Sequence, residues 1–130
     1  MREIETHRRI DRGLCGEPIL LEVGRAEVRL VTTPVMAADE RGLCHGGFLF
    51  GAVDYAAMLA VGDPNVVLGS AQVKFLRPVR VGEAVVARAA VTAEAGKKRT
   101  VAVEAARDGG EVVLTGELVC FVLPRHVLEE

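Results

Sequence analysis

The feature that most constrains the fold is a run of apolar and small residues from Gly47 to about Val61. Asp54 is the only charged residue in this run, so a helix formed there has no polar face. A helix that is hydrophobic all round has to be covered by other structure. Several helix breakers in a row, at residues 62–65, then end the run. The sequence therefore predicts one long, buried helix in the middle of the chain.

The rest of the chain has mainly the pattern of β-structure. Strand-like runs cover residues 22–33 before the helix and residues 66–77, 84–94, 100–107 and 111–123 after it. The connections at residues 95–97 and 108–110 contain glycine and have hairpin chemistry. Because only a sheet of these strands is large enough to cover the helix, we expect an α+β fold in which an antiparallel β-sheet wraps around the long central helix.

Two further expectations concern the start of the chain and the cover of the helix. Residues 3–12 predict a short amphipathic helix that Gly13 ends. A single sheet covers only one side of the central helix, and a second copy of the chain would bury the remainder. We therefore expect at least a homodimer, and a homotetramer fits the same reasoning.

Length, charge and cysteine content narrow the class of protein. The length of 130 residues fits one domain, and we expect residues 1–130 to form it. The net charge of −2 gives no basic field, which argues against binding to nucleic acid or to an anionic membrane. Cys15, Cys44 and Cys120 are an odd number without close pairs, which favours a reducing compartment over a disulfide scaffold or a zinc site. Because charged residues directly follow Met1, with no secretory signal, the sequence predicts a cytoplasmic protein.

Asp54 is the most informative residue for function. An unpaired carboxylate is expensive to bury, so such a group either has a hydrogen-bonding partner or belongs to a site. One interpretation is a structural Asp54 bonded to the neighbouring backbone or to Tyr55. The other is a catalytic carboxylate, and Asp54 taken alone does not decide between them; the start of the helix, two turns before it, favours the catalytic interpretation.

The start of the predicted helix carries the second candidate group. Gly46 and Gly47 leave the first backbone N–H groups of the helix sterically open and unpaired. Such donors, aided by the helix dipole, suit a carbonyl oxygen that becomes negative during acyl transfer. His45 either hydrogen-bonds a substrate or holds the loop. A nucleophile pair of Cys44 and His45 is disfavoured, because adjacent side chains diverge and nothing in the sequence marks a reactive thiol.

A third candidate group is a set of cations after the helix. Lys74, Arg77 and Arg80 lie at the end of the next strand and in the turn that follows. Ammonium and guanidinium groups pair with phosphates, so these three residues are candidate contacts for a nucleotide-bearing substrate. A solvated turn is the alternative. Ser70 and Gln72 lie on the same strand, and their spacing does not decide whether either reaches the site.

Two motifs in these segments resemble those of a known family. Residues 44–54, C-H-G-G-F-L-F-G-A-V-D, resemble the signature of the PaaI-like hotdog thioesterases, in which H-G-G and an apolar stretch precede an Asp on the central helix. Residues 75–78, F-L-R-P, and residues 81–83, V-G-E, resemble a strand and turn of the same family. The resemblance extends from roughly residue 22 to residue 123 and implies the hotdog fold.

The resemblance also implies an activity: hydrolysis of acyl-CoA thioesters to a free acid and CoA, in a pocket between two subunits. On this analogy Asp54 is the nucleophile or the general base, and the Gly47 amide polarises the thioester carbonyl. Gly46 would shape the loop, and His45 would assist at the carbonyl. No metal or redox cofactor is implied, and coenzyme A enters as part of the substrate. A carboxylate with an ordinary pKa is already ionised at pH 7.

Two other functions stay open. Residues 67–121 also resemble the ligand-binding domain of the fatty-acid and phospholipid synthesis repressors, which fuse a hotdog domain to a helix-turn-helix. We expect no such module, because too few residues precede Glu22, and this leaves a free-standing, non-catalytic acyl-CoA sensor as the alternative. A hotdog dehydratase acting on acyl thioesters would use a catalytic histidine, for which His45 is the candidate. The sequence does not predict the acyl group.

Overall fold

A computed structural model describes residues 2–129 as a six-stranded antiparallel sheet with one long helix. The strands are β1 (Glu17–Glu22), β2 (Arg25–Val31), β3 (Val66–Phe75), β4 (Ala84–Ala95), β5 (Lys98–Arg107) and β6 (Val112–Val122), and the helices are α1 (Arg12–Cys15) and α2 (Gly46–Val61). The order in the sheet is β1-β2-β4-β5-β6-β3. The predicted central helix, the four strands after it and both hairpins are confirmed. Within the described range, no helix is long and apolar enough to cross a membrane.

Two capping interactions at the C-terminal end of α2 define where the helix ends. Gly62 ends the helix in the left-handed conformation, with a φ of +70°, and its N–H donates to the Met58 carbonyl. The Arg2 guanidinium donates to the carbonyl oxygens of Leu59 and Ala60 at 2.8 and 3.1 Å. A cation at this end of a helix also interacts favourably with the helix dipole. Hydrogen bonds from Arg2 therefore hold the beginning of the chain against the C-terminal end of α2.

Small side chains at the interface between α2 and the sheet allow a close approach. The buried alanines of α2 are Ala52, Ala56, Ala57 and Ala60, and the strands contribute buried Ala87 and Ala105. Larger buried side chains of the strands, including Leu30, Val85, Leu114 and Leu118, fill the space around them. Together these residues belong to one contiguous apolar core.

The helix predicted over residues 3–12 is wrong. Only Arg12–Cys15 is helical in this region, and the Asp11 side chain caps that short helix. His7 has a φ of +54°, which a right-handed helix through this segment does not allow. Its ring centroid lies 6.4 Å from that of Tyr55 on α2. The segment therefore lies along α2 as additional cover for the helix.

The strand predicted over residues 22–33 is present as β2, but it is shorter than expected, because residues 22–25 belong to a hairpin that joins it to β1. Gly24, with a φ of +78°, reverses the chain between β1 and β2, which pair with each other. The turn has no Asn-Gly or Asp-Gly pair, so its sequence gives no strong hairpin signal. As a result β1 was not predicted, and the sheet has one strand more than expected.

One stripe of α2 stays open after the sheet and the N-terminal segment have covered the rest. Gly47, Phe50, Gly51, Asp54 and Val61 lie on this open stripe, and each is exposed or half-buried. Their spacings of three, four and seven residues place them on one helical face.

Strand β3 forms a free edge of the sheet. It pairs only with β6, and residues 69–72 within it are all exposed. An exposed edge of ten residues presents unpaired backbone groups to which another strand can add. The open stripe of α2 and the free β3 edge are therefore two surfaces that one copy of the chain leaves uncovered.

Leu118→Ala should lower the free energy of unfolding by about 2–5 kcal/mol, because Leu118 is fully buried and its truncation leaves a cavity. Leu128→Ala is the matched control, since Leu128 is 83% exposed, and it should change stability by less than about 0.5 kcal/mol. Urea denaturation of both variants measures the difference. Equal effects would show that the core does not lie where the structure places it.

Candidate active site

At the start of α2, the predicted histidine contacts one of the predicted glycines. His45 is the N-cap residue, and its Nδ1 accepts a hydrogen bond from the Gly47 N–H at 2.9 Å. An accepting Nδ1 places the proton of the neutral ring on Nε2. A Cβ at position 47 would lie 2.8 Å from Nδ1, so glycine allows the imidazole to fold over the helix start. The amide expected to polarise a substrate carbonyl is thus bonded to His45 in this structure.

The neighbouring amide, that of Gly46, is open. Its N–H has no hydrogen-bond partner within residues 2–129. The Phe75 ring from the end of β3 packs over this residue, and a Cβ at position 46 would lie 3.0 Å from the ring atom Cε1. Phe75 is itself 52% exposed. Because position 46 is glycine, the Phe75 ring can pack directly beside the first backbone amides of α2.

Asp54 lies on the open stripe and is half-buried. Its Oδ1 is buried and has no hydrogen-bond partner in the described part of the chain. Burial raises the pKa of the carboxyl from 3.8 to about 6, so it does not keep the ordinary pKa assumed from the sequence. The group is still mainly ionised at pH 7. A half-buried carboxylate with a raised pKa and no partner is typical of a functional site.

The structural interpretation of Asp54 is not supported by its surroundings. Its buried oxygen bonds neither to the backbone nor to Tyr55. Two thiols lie close enough to respond to its charge. Burial raises the pKa of Cys15 and Cys120, to about 11 for Cys120, and the negative charge of Asp54 raises both further, as Asp11 does for Cys15. No local sequence pattern indicates these neighbours, because they come from distant segments.

Cys44 does not act as a partner for His45 in a nucleophile pair. It is buried, burial raises the pKa of its thiol, and its Sγ donates to the His45 carbonyl at 3.6 Å rather than to the ring. This agrees with the expectation from the sequence. Among the described residues, no three His, Cys, Asp or Glu side chains are grouped as a metal site requires.

The sheet register separates Lys74 from the helix. Phe75 pairs with the fully buried Leu114, so Lys74, one residue earlier, points to the sheet face opposite α2. The same alternation places Ser70 and Gln72 on that outer face. Within one chain, these three side chains are therefore not brought together with Asp54 or with the helix start.

Arg77 and Arg80 line two adjoining clefts. Arg77 forms a 3.7 Å ion pair with Glu111 and lines a cleft of about 330 Å³ with mainly apolar walls, which we call the apolar cleft. Its other lining residues are Leu43, Cys44, Gly46, Leu49, Phe75, Leu76, Pro78 and Val79. Arg80 lines a cleft of about 540 Å³, which we call the cationic cleft, with Asp39, Arg41, Gly42, Leu43, Pro78, Val79, Glu83 and Arg107. The two clefts adjoin, because they share the three lining residues Leu43, Pro78 and Val79.

The sequence did not point to Arg41. It lies in the polar loop just before the H-G-G motif, and the only available signal was a cation close to that motif. Its position beside Arg80 depends on the pairing of two loops that are far apart in the chain. No local sequence pattern indicates such a pairing of distant loops.

Known proteins with similar sequences include enzymes and regulators. Residues 41–114 match the family model of the Thioesterase superfamily. The chain is 50% identical over 121 residues to methylthioribose-1-phosphate isomerase of Aquifex aeolicus, a match that covers 93% of this chain and 26% of that protein. It is 34% identical over 88 residues to the transcription factor FapR of Shouchella clausii, covering 68% of this chain and 46% of that protein. The chain thus spans between about a quarter and about half of the length of these relatives.

Two solved structures show the same architecture. An uncharacterised protein from Pyrococcus horikoshii has 52% sequence identity and a TM-score of 0.96, with 98% of each chain covered. A variant of the phenylacetic acid degradation protein PaaI from Thermus thermophilus has 29% identity and a TM-score of 0.77, with 85% of this chain and 95% of that chain covered. The family model covers more than half of the chain, and the sheet wrapped around α2 is the expected hotdog fold. The chain therefore belongs to the thioesterase superfamily, as a PaaI-like hotdog protein.

Proposed function

We propose that the protein hydrolyses acyl-CoA thioesters to a free acid and CoA. The observation that carries the proposal is the Asp54 carboxylate, which has no hydrogen-bond partner within residues 2–129 and lies on the same face of α2 as the Gly47 amide. Membership of the thioesterase superfamily supports thioester hydrolysis in general. The apolar and cationic clefts beside the helix start fit a thioester whose carrier has an apolar arm and phosphate groups.

The chemistry of Asp54 allows two routes. In one, the ionised carboxylate takes a proton from water, and the water oxygen adds to the thioester carbon. In the other, a carboxylate oxygen adds directly and forms an anhydride, which water then hydrolyses. In both routes the C–S bond breaks and the sulfur leaves as CoA thiol after taking up a proton. A pKa of about 6 makes this carboxylate a stronger base than an exposed one, and neither route needs a metal or a redox cofactor.

The amides at the start of α2 are the donors for the carbonyl oxygen, which becomes negative as the new bond forms. The Gly46 N–H is open, whereas the Gly47 N–H is bonded to His45. We infer that the substrate oxygen replaces His45 Nδ1 as the acceptor and that the imidazole rotates away. The Nε2–H of the released ring is then a further donor beside the carbonyl.

A complete site requires two copies of the chain. Gly47 and Asp54 are separated by seven residues, or about 10 Å along the helix axis. The carbonyl donor and the attacking group must both lie within about 3 Å of the reacting atoms, so the two residues of one copy cannot serve one thioester. A second copy with its α2 antiparallel along the open stripe brings Asp54 of one subunit beside Gly47 of its partner. The free β3 edge provides backbone pairing for this homodimer.

A non-catalytic acyl-CoA sensor is the second candidate function, favoured by the 34% identity to a protein named as a transcription factor. A panel of short, long and aryl acyl-CoA substrates with a thiol reagent separates the two functions. Thiol release above the uncatalysed rate supports hydrolysis, whereas saturable binding without thiol release assigns the sensor function. A dehydratase would convert a 3-hydroxyacyl thioester without freeing thiol.

Asp54→Asn should lower kcat by at least about a hundredfold, because the variant loses the group that attacks or accepts the proton. It should also unfold with a higher free energy at pH 8, by up to about 3 kcal/mol, since a pKa raised from 3.8 to about 6 means that the folded state disfavours the charge. The wild-type penalty is fully present above the folded pKa and fades as pH falls through 6 towards 4, so the gain should disappear there. Steady-state rates at pH 8, and denaturation at pH 8 and at about pH 4, test this. Unchanged kcat would refute the assigned role.

The pH dependence of kcat/KM should follow the ionisation of Asp54. The rate should fall as pH decreases through about 6, because only the ionised carboxylate attacks or accepts a proton. His45 is the other ionisable side chain at the proposed site, so His45→Gln is the control variant. This variant should keep the acidic limb of the profile at reduced rates. Loss of that limb in His45→Gln would assign the titration to the histidine instead.

A hybrid dimer tests whether the site is shared. Gly47→Pro removes the amide donor in the first turn, where proline is tolerated, and Asp54→Asn removes the carboxylate, so each homodimer should be inactive. Co-expression in equal amounts should restore about a quarter of wild-type activity, since half the dimers are hybrids and each has one intact site of two. No recovery in hybrids confirmed by mass spectrometry would mean that both groups of a site come from one subunit.

A further inference from the structure

We propose that Phe75 is a positioning residue for the start of α2: its ring keeps water away from the open Gly46 N–H, so that this donor binds the carbonyl oxygen of the substrate more strongly. This role rests on the proposed function and assigns a part in it to a residue of the sheet. From the sequence, Phe75 was expected only as part of a strand and turn.

The end of strand β3 brings the ring to the helix. Phe75 is the last residue of β3 and pairs with the fully buried Leu114, so the two side chains lie on the face of the sheet that packs against α2. After Phe75 the chain leaves the strand, and the N–H groups of Leu76 and Arg77 both donate to the Val113 carbonyl, at 2.8 and 3.3 Å. Because β3 is the edge of the sheet, no strand within residues 2–129 lies beyond the ring, which reaches the first residue of α2.

The contact with this ring, and not the backbone conformation, accounts for glycine at position 46. Gly46 is helical and has no positive φ, a conformation that alanine adopts more readily than glycine does. A Cβ at this position would lie 3.0, 3.4 and 3.5 Å from the Phe75 ring atoms Cε1, Cδ1 and Cζ. The first of these distances is shorter than an ordinary carbon–carbon contact. The ring therefore packs directly against the backbone of Gly46.

Two rings flank the first amides of α2, and they differ in what they offer to an N–H group. His45 Nδ1 accepts a hydrogen bond from the Gly47 N–H at 2.9 Å. The Phe75 ring has no nitrogen or oxygen, and the Gly46 N–H has no partner within residues 2–129. An apolar ring displaces water without competing for the donor. A donor shielded from water stabilises a developing oxyanion more strongly than a solvated one, so Phe75 acts through the Gly46 amide.

Phe75→Ala should lower kcat by about tenfold and change KM by less than about twofold, because the lost shielding weakens an interaction that is strongest in the transition state. Phe75→Leu keeps part of the apolar cover and should lose less. Phe121→Ala is the matched control, since this ring also packs against a glycine of β3, Gly69, but lies outside both clefts. Steady-state kinetics with one acyl-CoA compares the three variants. An equal fall of kcat in Phe121→Ala would assign the effect to general packing of the sheet and overturn the inference.

A second test uses the contact between the ring and position 46. Gly46→Ala should lower kcat, because its methyl group collides with the Phe75 ring and displaces it from the amide. In the Phe75→Ala background the methyl group has free space, so the loss caused by Gly46→Ala should be at least about fivefold smaller there than in the wild type. Equal losses in the two backgrounds would mean that the ring does not act on position 46.

Exchange of the Gly46 N–H with water, followed by NMR, tests the shielding without a substrate. The exchange rate should rise by about tenfold or more in Phe75→Ala and stay unchanged in Phe121→Ala, because an amide without a hydrogen bond exchanges according to its access to water. Equal rates in the wild type and Phe75→Ala would overturn the inference and leave thioester hydrolysis standing. If the wild type hydrolyses no thioester, the proposed function fails, and the exchange rates still decide whether the ring shields the amide.

Discussion

The packing of α2 against the sheet determines where every group of the candidate site lies. The helix is apolar on all sides except at Asp54, and its sheet-facing alanines approach the strands closely. A rotation of the helix by one residue, about 100°, would press Asp54 into the core and expose buried apolar side chains to water. The hydrophobic effect therefore fixes the orientation of α2. That orientation places the carboxylate and the Gly47 amide on the same open stripe.

The parts of the fold that were predictable from the sequence are those that local signals specify. A continuous apolar run predicted α2, and strand-like runs predicted the four strands after it; the breakers after the helix and the glycine turns predicted their limits to within a few residues. The predictions for the first part of the chain failed because its structure depends on contacts with residues that are distant in the sequence. Arg2 donates hydrogen bonds to carbonyl oxygens 57 and 58 residues further along the chain, and no local sequence pattern indicates these contacts. Nor does the turn at Gly24 have a residue pair typical of hairpins.

The candidate site was predictable in its residue types but not in its arrangement. A lone acid in an apolar helix and two glycines at the helix start are visible in the sequence, whereas the bond between His45 and the Gly47 N–H is not. The orientation of Ser70 was also not predictable. The register of β3 shifts between Leu68 and Ser70, so the alternation of side chains before this bulge does not carry over to the residues after it.

The unpaired state of Asp54 bears on the choice between a hydrolase and a sensor. A pocket that only binds a neutral acyl group gains nothing from a buried charge, and a neutral side chain there would give a more stable fold. A hydrolase needs the free lone pairs, because donors bonded to the carboxylate would lower its pKa and weaken it as a base. The buried oxygen has no partner within residues 2–129 of one copy, which is unfavourable for the folding of that copy and favourable for the proposed catalysis. His45 fits the proposed mechanism in the same way, because its Nδ1 accepts from the Gly47 N–H, and under that mechanism a neutral acceptor would be displaced by a developing oxyanion more easily than a carboxylate would be.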